Sequence, residues 1–485
     1  MGVAHRMLDW VDRRIGEGLE RRVRSHHQRR LRRLGHSAVF DGGAGSGLWA
    51  GTGAAPRSGN AVEVLIDGER ACGAIARALS GAHSHVHIAG WHLTPDFELT
   101  REGDTSALQD ILAALAEHIE VRVLLWAGPP VPAFQPTRKM VRAVCEQLTA
   151  GTKVQCVLDS RERTMHCHHE KIVIIDDAVA FVGGIDLTSL AGDRWDSPRH
   201  HPRGSLGWHD VAIQLQGPIV GDVANHFRQR WQEAAGQTLP VPVAPAPAGA
   251  VTLQLLRTVP ERTYEFCARG EFSILEAYER ALRSAQHLIY LENQFLWSTE
   301  IAQILIDKLR NPPTDDFRIL LLLPAKPSNG SDTTRGQLGC LVEADHGAGR
   351  LLATTIHSHH DGTTDALYVH AKVAVVDDRW LTLGSANLNE HSLFNDTEVN
   401  IATCDPVLAR QTRLALWAEH LNRTVEEIDY SPTTVIDRLW RPIAEEQLHH
   451  QSSGRALTHR LMELPAVSRR SERLIGPMRG LLIDG

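Results

Sequence analysis

Apolar and polar positions along this chain follow two rhythms, one of period two or unbroken short apolar runs, the other of period 3.6. The first rhythm predicts strands at 62–66, 85–89, 121–126, 153–158 and 172–175, with a further strand running to Gly183 beyond a turn at Asp176-Asp177. The second predicts helices at about 69–82, 107–118 and 137–148. After a polar loop over 191–207 come a strand to Leu215 and a helix to about 235. Prolines that fit neither a helix nor a central strand fill 239–250. The order then replays, with a helix over 272–283, strands over 287–291 and 317–323, loops at 327–335 and 346–368, and a second pair of short strands. Strands alternating with helices predict an α/β fold, a mostly buried mixed β-sheet flanked by helices.

The replay keeps register. Residues 169–176 read His-Glu-Lys-Ile-Val-Ile-Ile-Asp, and residues 370–377 read His-Ala-Lys-Val-Ala-Val-Val-Asp. The offset, 370 − 169 = 201, also relates Lys171 to Lys372, Asp176 to Asp377, Gly183 to Gly384 and Asp186 to Asn387. The chain is therefore expected to divide into a basic amphipathic helix (1–36), a Gly-rich connector (37–60), a first repeat (61–238), a Pro-rich linker (239–250), a second repeat (251–430) and a C-terminal tail (431–485). In the first segment Leu8, Val11, Ile15, Leu19 and Val23 form a thin apolar stripe among many arginines. Two readings stand side by side: a peripheral anchor on anionic lipid, or a solvated helix packed on the core.

On an extended segment, residues two apart share a face, so each motif offers an imidazole beside a fixed positive charge. Duplication predicts one site built at a pseudo-two-fold interface from His169, His370, Lys171 and Lys372, with Ser385 and Asn387 as neutral donors. Such a group of cations needs an anion, and a phosphodiester fits; two lysines supply the charge that metal ions supply elsewhere, so neither metal nor cofactor is required. One histidine can attack phosphorus while the other handles the proton of the leaving alkoxide. Asp210 and Glu398, at equivalent places after the glycine turns, are the carboxylates expected to fix the two tautomers. His357, His359 and His360 with Asp361 offer no closed ligand set for a metal. Trp91, Phe295 and Trp297 fit a lipid mouth or, more simply, packing.

Composition narrows the setting. A net charge of −7 argues against a protein that coats nucleic acid. The seven scattered cysteines read as reduced thiols of an intracellular protein, without a disulfide framework or a zinc pattern. No apolar run approaches the roughly 18 residues that span a bilayer.

The paired HxKxxxxD motifs, with His168 ahead of the first, resemble those of the phospholipase D superfamily. So do Gly183-Gly-Ile-Asp-Leu187, Asp193-Arg-Trp-Asp196, Trp208-His-Asp210 with Gly217-Pro218, Ile289-Tyr-Leu-Glu-Asn-Gln-Phe295 and Gly384-Ser-Ala-Asn-Leu-Asn389, which point to its phospholipid-cleaving branch. The resemblance spans roughly 60–421 and implies two α/β repeats sharing one active site. It also implies a covalent phosphohistidine on His169, His370 as acid and base, Lys171 and Lys372 on the phosphate, and Asp176 and Asp377 as motif aspartates that hold the turn. Hydrolysis or transfer of the phosphatidyl group to water or an alcohol is expected, at a membrane surface, by a monomer that is cytoplasmic and peripheral to the inner membrane surface. A cardiolipin synthase-type transferase is the nearest alternative and a nucleic-acid phosphodiesterase a weaker one, with no nucleic-acid partner expected. Glu170 stands where this branch often has Gln, and its side chain is expected to point away from the site.

Overall fold

Two sheets with the same strand order face one another. The computed structural model describes residues 3–40, 47–101, 105–131, 135–163, 166–195, 206–326, 331–360 and 362–464, with backbone alone for 3–16 and 331–332. A long helix, α1 (Val3–Leu34), comes first. The first repeat contains β1 (Arg57–Ile66), α2 (Asp67–Ser80), β2 (His85–Gly90), α3 (Leu108–Ala116), β3 (Glu120–Trp126) and α4 (Arg138–Thr149). It continues with β4 (Gln155–Asp159), β5 (Ile172–Ile175), β6 (Val179–Gly183), β7 (Gly207–His209), β8 (Val211–Gln216) and α5 (Ile219–Ala235). The second repeat opens with β9 (Val251–Val259), β10 (Glu271–Phe272), α6 (Ser273–Ser284), β11 (Leu288–Glu292), α7 (Thr299–Arg310), β12 (Arg318–Leu322) and α8 (Ser331–Asp345). It closes with β13 (Leu351–His360), β14 (Thr363–Val369), β15 (Val373–Val376), β16 (Trp380–Gly384), α9 (Glu390–Phe394), β17 (Glu398–Thr403) and α10 (Pro406–Leu421). The tail adds α11 (Pro432–Val435), a π turn over Ile436–Trp440, α12 (Arg441–Ser452) and β18 (Leu461–Glu463).

The first sheet runs β1-β8-β6-β5-β2-β3-β4. The second runs β9-β17-β16-β15-β11-β12-β13, the same order element by element, with β18 added beyond β13. β5 and β15 are central and apolar on both sides, as their unbroken Ile/Val runs require. Ile172 and Ile174 of the first and Val373 and Val375 of the second meet in one core shared by both repeats. Their outward neighbours pack under separate helical layers. Trp440 and Ala444 of the tail belong to the shared core, so the tail is part of the fold to residue 464; 465–485 lie outside the described residues.

Two expectations are corrected. The stretch 346–368 is no loop: β13 pairs in parallel with β12 and in antiparallel with β14, and it carries His357, His359 and His360. The three histidines hid a strand whose first six residues, Leu351 to Ile356, are apolar or β-branched. Likewise 331–345 is helical, while 327–330, 361 and the loop positions 196–205 lie outside the described residues. The linker 239–250 carries no regular element, as its prolines dictate.

The described half of α1 docks on the second repeat through polar anchors together with Leu31, which is fully buried in that repeat's core. Leu19 and Val23 are half-buried, whereas His27 bonds Glu300 at 2.8 Å and Arg30 reaches Glu261 at 2.6 Å, Asn395 at 2.8 Å and Phe394 O at 2.9 Å. Leu8, Val11 and Ile15 lie among the side chains outside the description.

Candidate active site

Neither His–Lys pair sits on the strand of its own motif. β5 begins at Ile172, and His169–Lys171 form an extended lead-in whose backbone serves the other repeat: His168 bridges Thr397, and the His169 N–H donates to Thr397 O at 3.0 Å. The second motif does the same in the opposite direction. The His370 N–H donates to His209 O at 2.8 Å, and β14 just ahead of it pairs in parallel with β7.

This crossing delivers each histidine to a carboxylate of the opposite repeat. His169 Nδ1 lies 3.0 and 3.3 Å from the two Glu398 oxygens, and His370 Nδ1 lies 2.6 Å from Asp210 Oδ2. With each Nδ1 held by a carboxylate, Nε2 is the ring nitrogen left for chemistry. The approach of Asp210 depends on Gly184, where a Cβ would stand 2.1 Å from Asp210 Oδ1. Both carboxylates are themselves fixed. Glu398 accepts from Ser392 Oγ at 2.5 Å and from Ser385 Oγ. Behind Asp210, Asp67 Oδ1 accepts from the Asp210 N–H at 3.1 Å and from His209 Nδ1 at 2.9 Å, while His209 Nε2 meets Glu292 at 2.9 Å. Burial alone would keep His209 neutral, but Asp67 and Glu292 outweigh it and hold the imidazole well above its ordinary value.

The lysines are equally enclosed, at 4% and 1% exposure. Lys171 Nζ donates to His169 O at 2.7 Å and pairs with Asp186 at 3.2 Å. Lys372 Nζ donates to His370 O and, at 3.2 Å, to Gln294 Oε1, which also accepts from Asn387 Nδ2 at 3.3 Å. The Arg194 guanidinium lies 3.2 Å over the Trp208 ring and donates to Leu190 O at 3.1 Å, while its buried Nε and Nη1 carry no hydrogen bond. The Trp208 ring in turn packs 4.4 Å from the His370 imidazole. Burial pushes the Asp210 and Glu398 carboxyls up and the His370 imidazole well down, the last helped by Lys372, Arg194, Lys171 and His169. Cations from both repeats therefore act on one ring.

Other expected residues fall elsewhere. Asp176 and Asp377 cap the far ends of β5 and β15: each accepts three successive backbone N–H groups, His83 to His85 and Gln286 to Leu288, and each begins a positive-φ Asp-Asp turn. Both stand a strand's length from the lysines, and their place is the turn. Ser385 holds Glu398 instead of facing open space. Glu170 points away, as expected, onto His226 at 2.7 Å and Arg230. Trp91, Phe295 and Trp297 are buried and pack inside the protein. Asp186, Arg194, His209, Glu292 and Gln294 stand in the motifs that carry the resemblance but have no role assigned from the sequence, and Asp67 and Ser392 carry no signal there, because nothing local tells which residue points into a site made by another repeat.

The sequence profile described as "Phospholipase D" matches residues 78–207 and 351–470, one segment over each motif and together just over half of the chain. The chain belongs to the phospholipase D family. Among similar proteins of this family, Phospholipase D A of Dictyostelium discoideum is 25% identical over 76% of this chain and 36% of its own length. Phospholipase D1 of Schizosaccharomyces pombe is 24% identical over 71% of this chain and 33% of its own length. Phospholipase D alpha 1 of Cynara cardunculus is 24% identical over 79% of this chain and 68% of its own length. This chain thus spans about a third of the first two relatives. The crystal structure of a phosphatidylserine synthase from Haemophilus influenzae Rd KW20 shares the fold, with a TM-score of 0.50 at 13% identity over 81% of this chain and 93% of that one.

Proposed function

We propose that this protein is a phospholipase D that cleaves the head-group phosphodiester of glycerophospholipids by hydrolysis or transphosphatidylation. The observation that carries the reading is the crossed pair His169–Glu398 and His370–Asp210, two tautomer-fixed imidazoles backed by Lys171, Lys372 and the unpartnered donors of Arg194. His169 Nε2 attacks phosphorus, an N–P bond forms and the P–O bond to the head group breaks, while His370, which takes a proton from water onto Nε2 as the phosphodiester anion binds, gives that proton to the departing alkoxide. Water or an alcohol then loses its proton to His370 and attacks phosphorus, and the N–P bond breaks. The resting His370 is neutral; the arriving phosphodiester anion offsets the surrounding cations and lowers the cost of charging it. No step needs a metal ion, because Lys171, Lys372 and Arg194 supply the positive charge that stabilises the transferring phosphoryl group.

The acid-and-base role of His370 is one assignment; its neutral resting state also suits a nucleophile, and trapping the phosphatidyl group on one ring or the other separates the two. The exposed arginines of α1, Arg21, Arg22, Arg29, Arg32 and Arg33, suit the anionic face of a cytoplasmic membrane surface, where each contributes about 1 kcal/mol. No helix among the described residues is long and apolar enough to cross a membrane. The test is incubation with mixed phospholipid vesicles, ethanol and a chelator, with products read by mass spectrometry. Phosphatidylethanol or phosphatidic acid is expected. Cardiolipin as the main product would favour the synthase reading, and turnover of nucleic-acid diesters alone would overturn both.

A further inference from the structure

The two crossings between the repeats are built unequally. On the His370 side, β7 and β14 form a ladder of three residue pairs, Leu367 to Gly207, Tyr368 to Trp208 and Val369 to His209. On the His169 side the backbone makes, among the described residues, the single bridge His168 to Thr397. Beside that bridge lies a cluster with the spacing of metal ligands. His166 Nδ1 is 3.0 Å from His391 Nδ1 and 3.5 Å from Asp396 Oδ1, and the three ligand atoms lie within 4.8 Å of one another. Tetrahedral zinc with Zn–N bonds of about 2.0–2.1 Å sets its ligand atoms about 3.3 Å apart, so the site needs little adjustment to close on an ion.

Asp396 is fully buried; its Oδ1 takes the Cys167 N–H at 2.8 Å, and its Oδ2 has no hydrogen-bond partner. A buried carboxylate oxygen left without a donor is costly, and a cation is one remedy. Two imidazoles in the set select a transition ion over calcium or magnesium. Half-buried His166 leaves a side on which water can complete the coordination.

We propose that His166, His391 and Asp396 bind one zinc-class divalent ion that clamps the first repeat to the second beside the His169–Glu398 pair, in the place where the other crossing uses a ladder. Its role is to hold the junction, and the phosphoryl-transfer step does not pass through it.

The experiment uses the full chain, stripped with a chelator, dialysed and titrated with Zn²⁺ alone. Bound metal is counted by mass spectrometry, and Co²⁺ is used in parallel for its visible absorption. One equivalent per chain, held more tightly than about 10 μM, is expected, with a rise in Tm and tetrahedral cobalt bands. His166→Ala, at a partly exposed position that can lose its side chain without opening the core, and Asp396→Asn should both lose the equivalent and the Tm rise. His85→Ala, in the separate His85-His87-Asp177 cluster, should keep them. Weaker binding than this, an equivalent retained in His166→Ala, or one lost in His85→Ala would overturn the proposal.

Discussion

The two halves of the site carry the same reactive groups on different supports. In the first half Lys171 is paired with the carboxylate of Asp186; in the second the equivalent position is Asn387, and Lys372 meets the neutral amide of Gln294. Behind the first motif, Glu170 enters a buried group with Arg230, His226, Asp159 and Tyr264, whereas its counterpart Ala371 has no polar side chain at all. Behind the second, the buried acid is Glu292, held by His209, His420 and Tyr290, and its counterpart in the first repeat is Ala89. Each half thus places its buried acid where the other has alanine. In the proposed reaction the reactive atoms must stay symmetric to meet one phosphorus, but the groups behind them need only be satisfied, and two solutions to that requirement coexist in one chain.

The largest expected effect tests whether both halves are needed at once. His169→Ala and His370→Ala should each lower kcat by at least about 10⁴-fold with an unchanged far-UV circular dichroism spectrum. Substantial activity in either variant would break the shared site, and phosphatidyl trapped on His370 would exchange the roles of the halves.

Next in size is stability. Glu170→Gln leaves Arg230 short of one of its two carboxylates in a dry interior, and a loss of about 3–5 kcal/mol in urea unfolding is expected. A shift below about 1 kcal/mol would mean that the acid behind the first motif is dispensable. Smaller again is the effect on charge at the lysines. Lys372→Met should cost about 10²–10³-fold in kcat/KM, and Asp186→Asn, which frees Lys171 from its partner, should cost less than about 10-fold. The reverse ranking would show that the carboxylate-paired lysine is the one gripping the phosphate.

The smallest effect is a pH dependence confined to the second half. His370 titrates well below 6.5 when folded, so the unfolded chain binds its proton first. Its contribution to stability is complete above pH 6.5 and is lost as pH falls below it, with a slope of up to about 1.4 kcal/mol per pH unit. The stability difference between wild type and His370→Asn, followed by urea unfolding from pH 7.5 to 5, should therefore change below pH 6.5. A flat difference would show that His370 is not held neutral.

Much of this was readable in one dimension. The repeat announced itself because β5 and β15 must each be apolar on both faces and must each turn on Asp-Asp, and such constraints leave a pattern of fixed length. Asp210 and Glu398 were legible from their place after the glycine turns, and Gly184 shows why the glycine is there. The strand 351–360 is hidden in the sequence because its last residues are histidines; of the two readings of α1 the described half shows the helix packed on the core, with Arg30 and His27 as anchors inside a run that looks uniformly solvated. The His166-His391-Asp396 cluster left no zinc spacing to find, since 225 residues separate its two histidines.

The sequence by itself determined the duplicated α/β halves, the four His and Lys groups and the two carboxylates, because each is dictated by local periodicity or by a repeat that keeps register. Only the tertiary structure decided which carboxylate serves which histidine. That pairing crosses between the repeats, since the backbone of each motif leaves its own sheet to hydrogen-bond with the other, and no spacing within one repeat records a bond made to its partner.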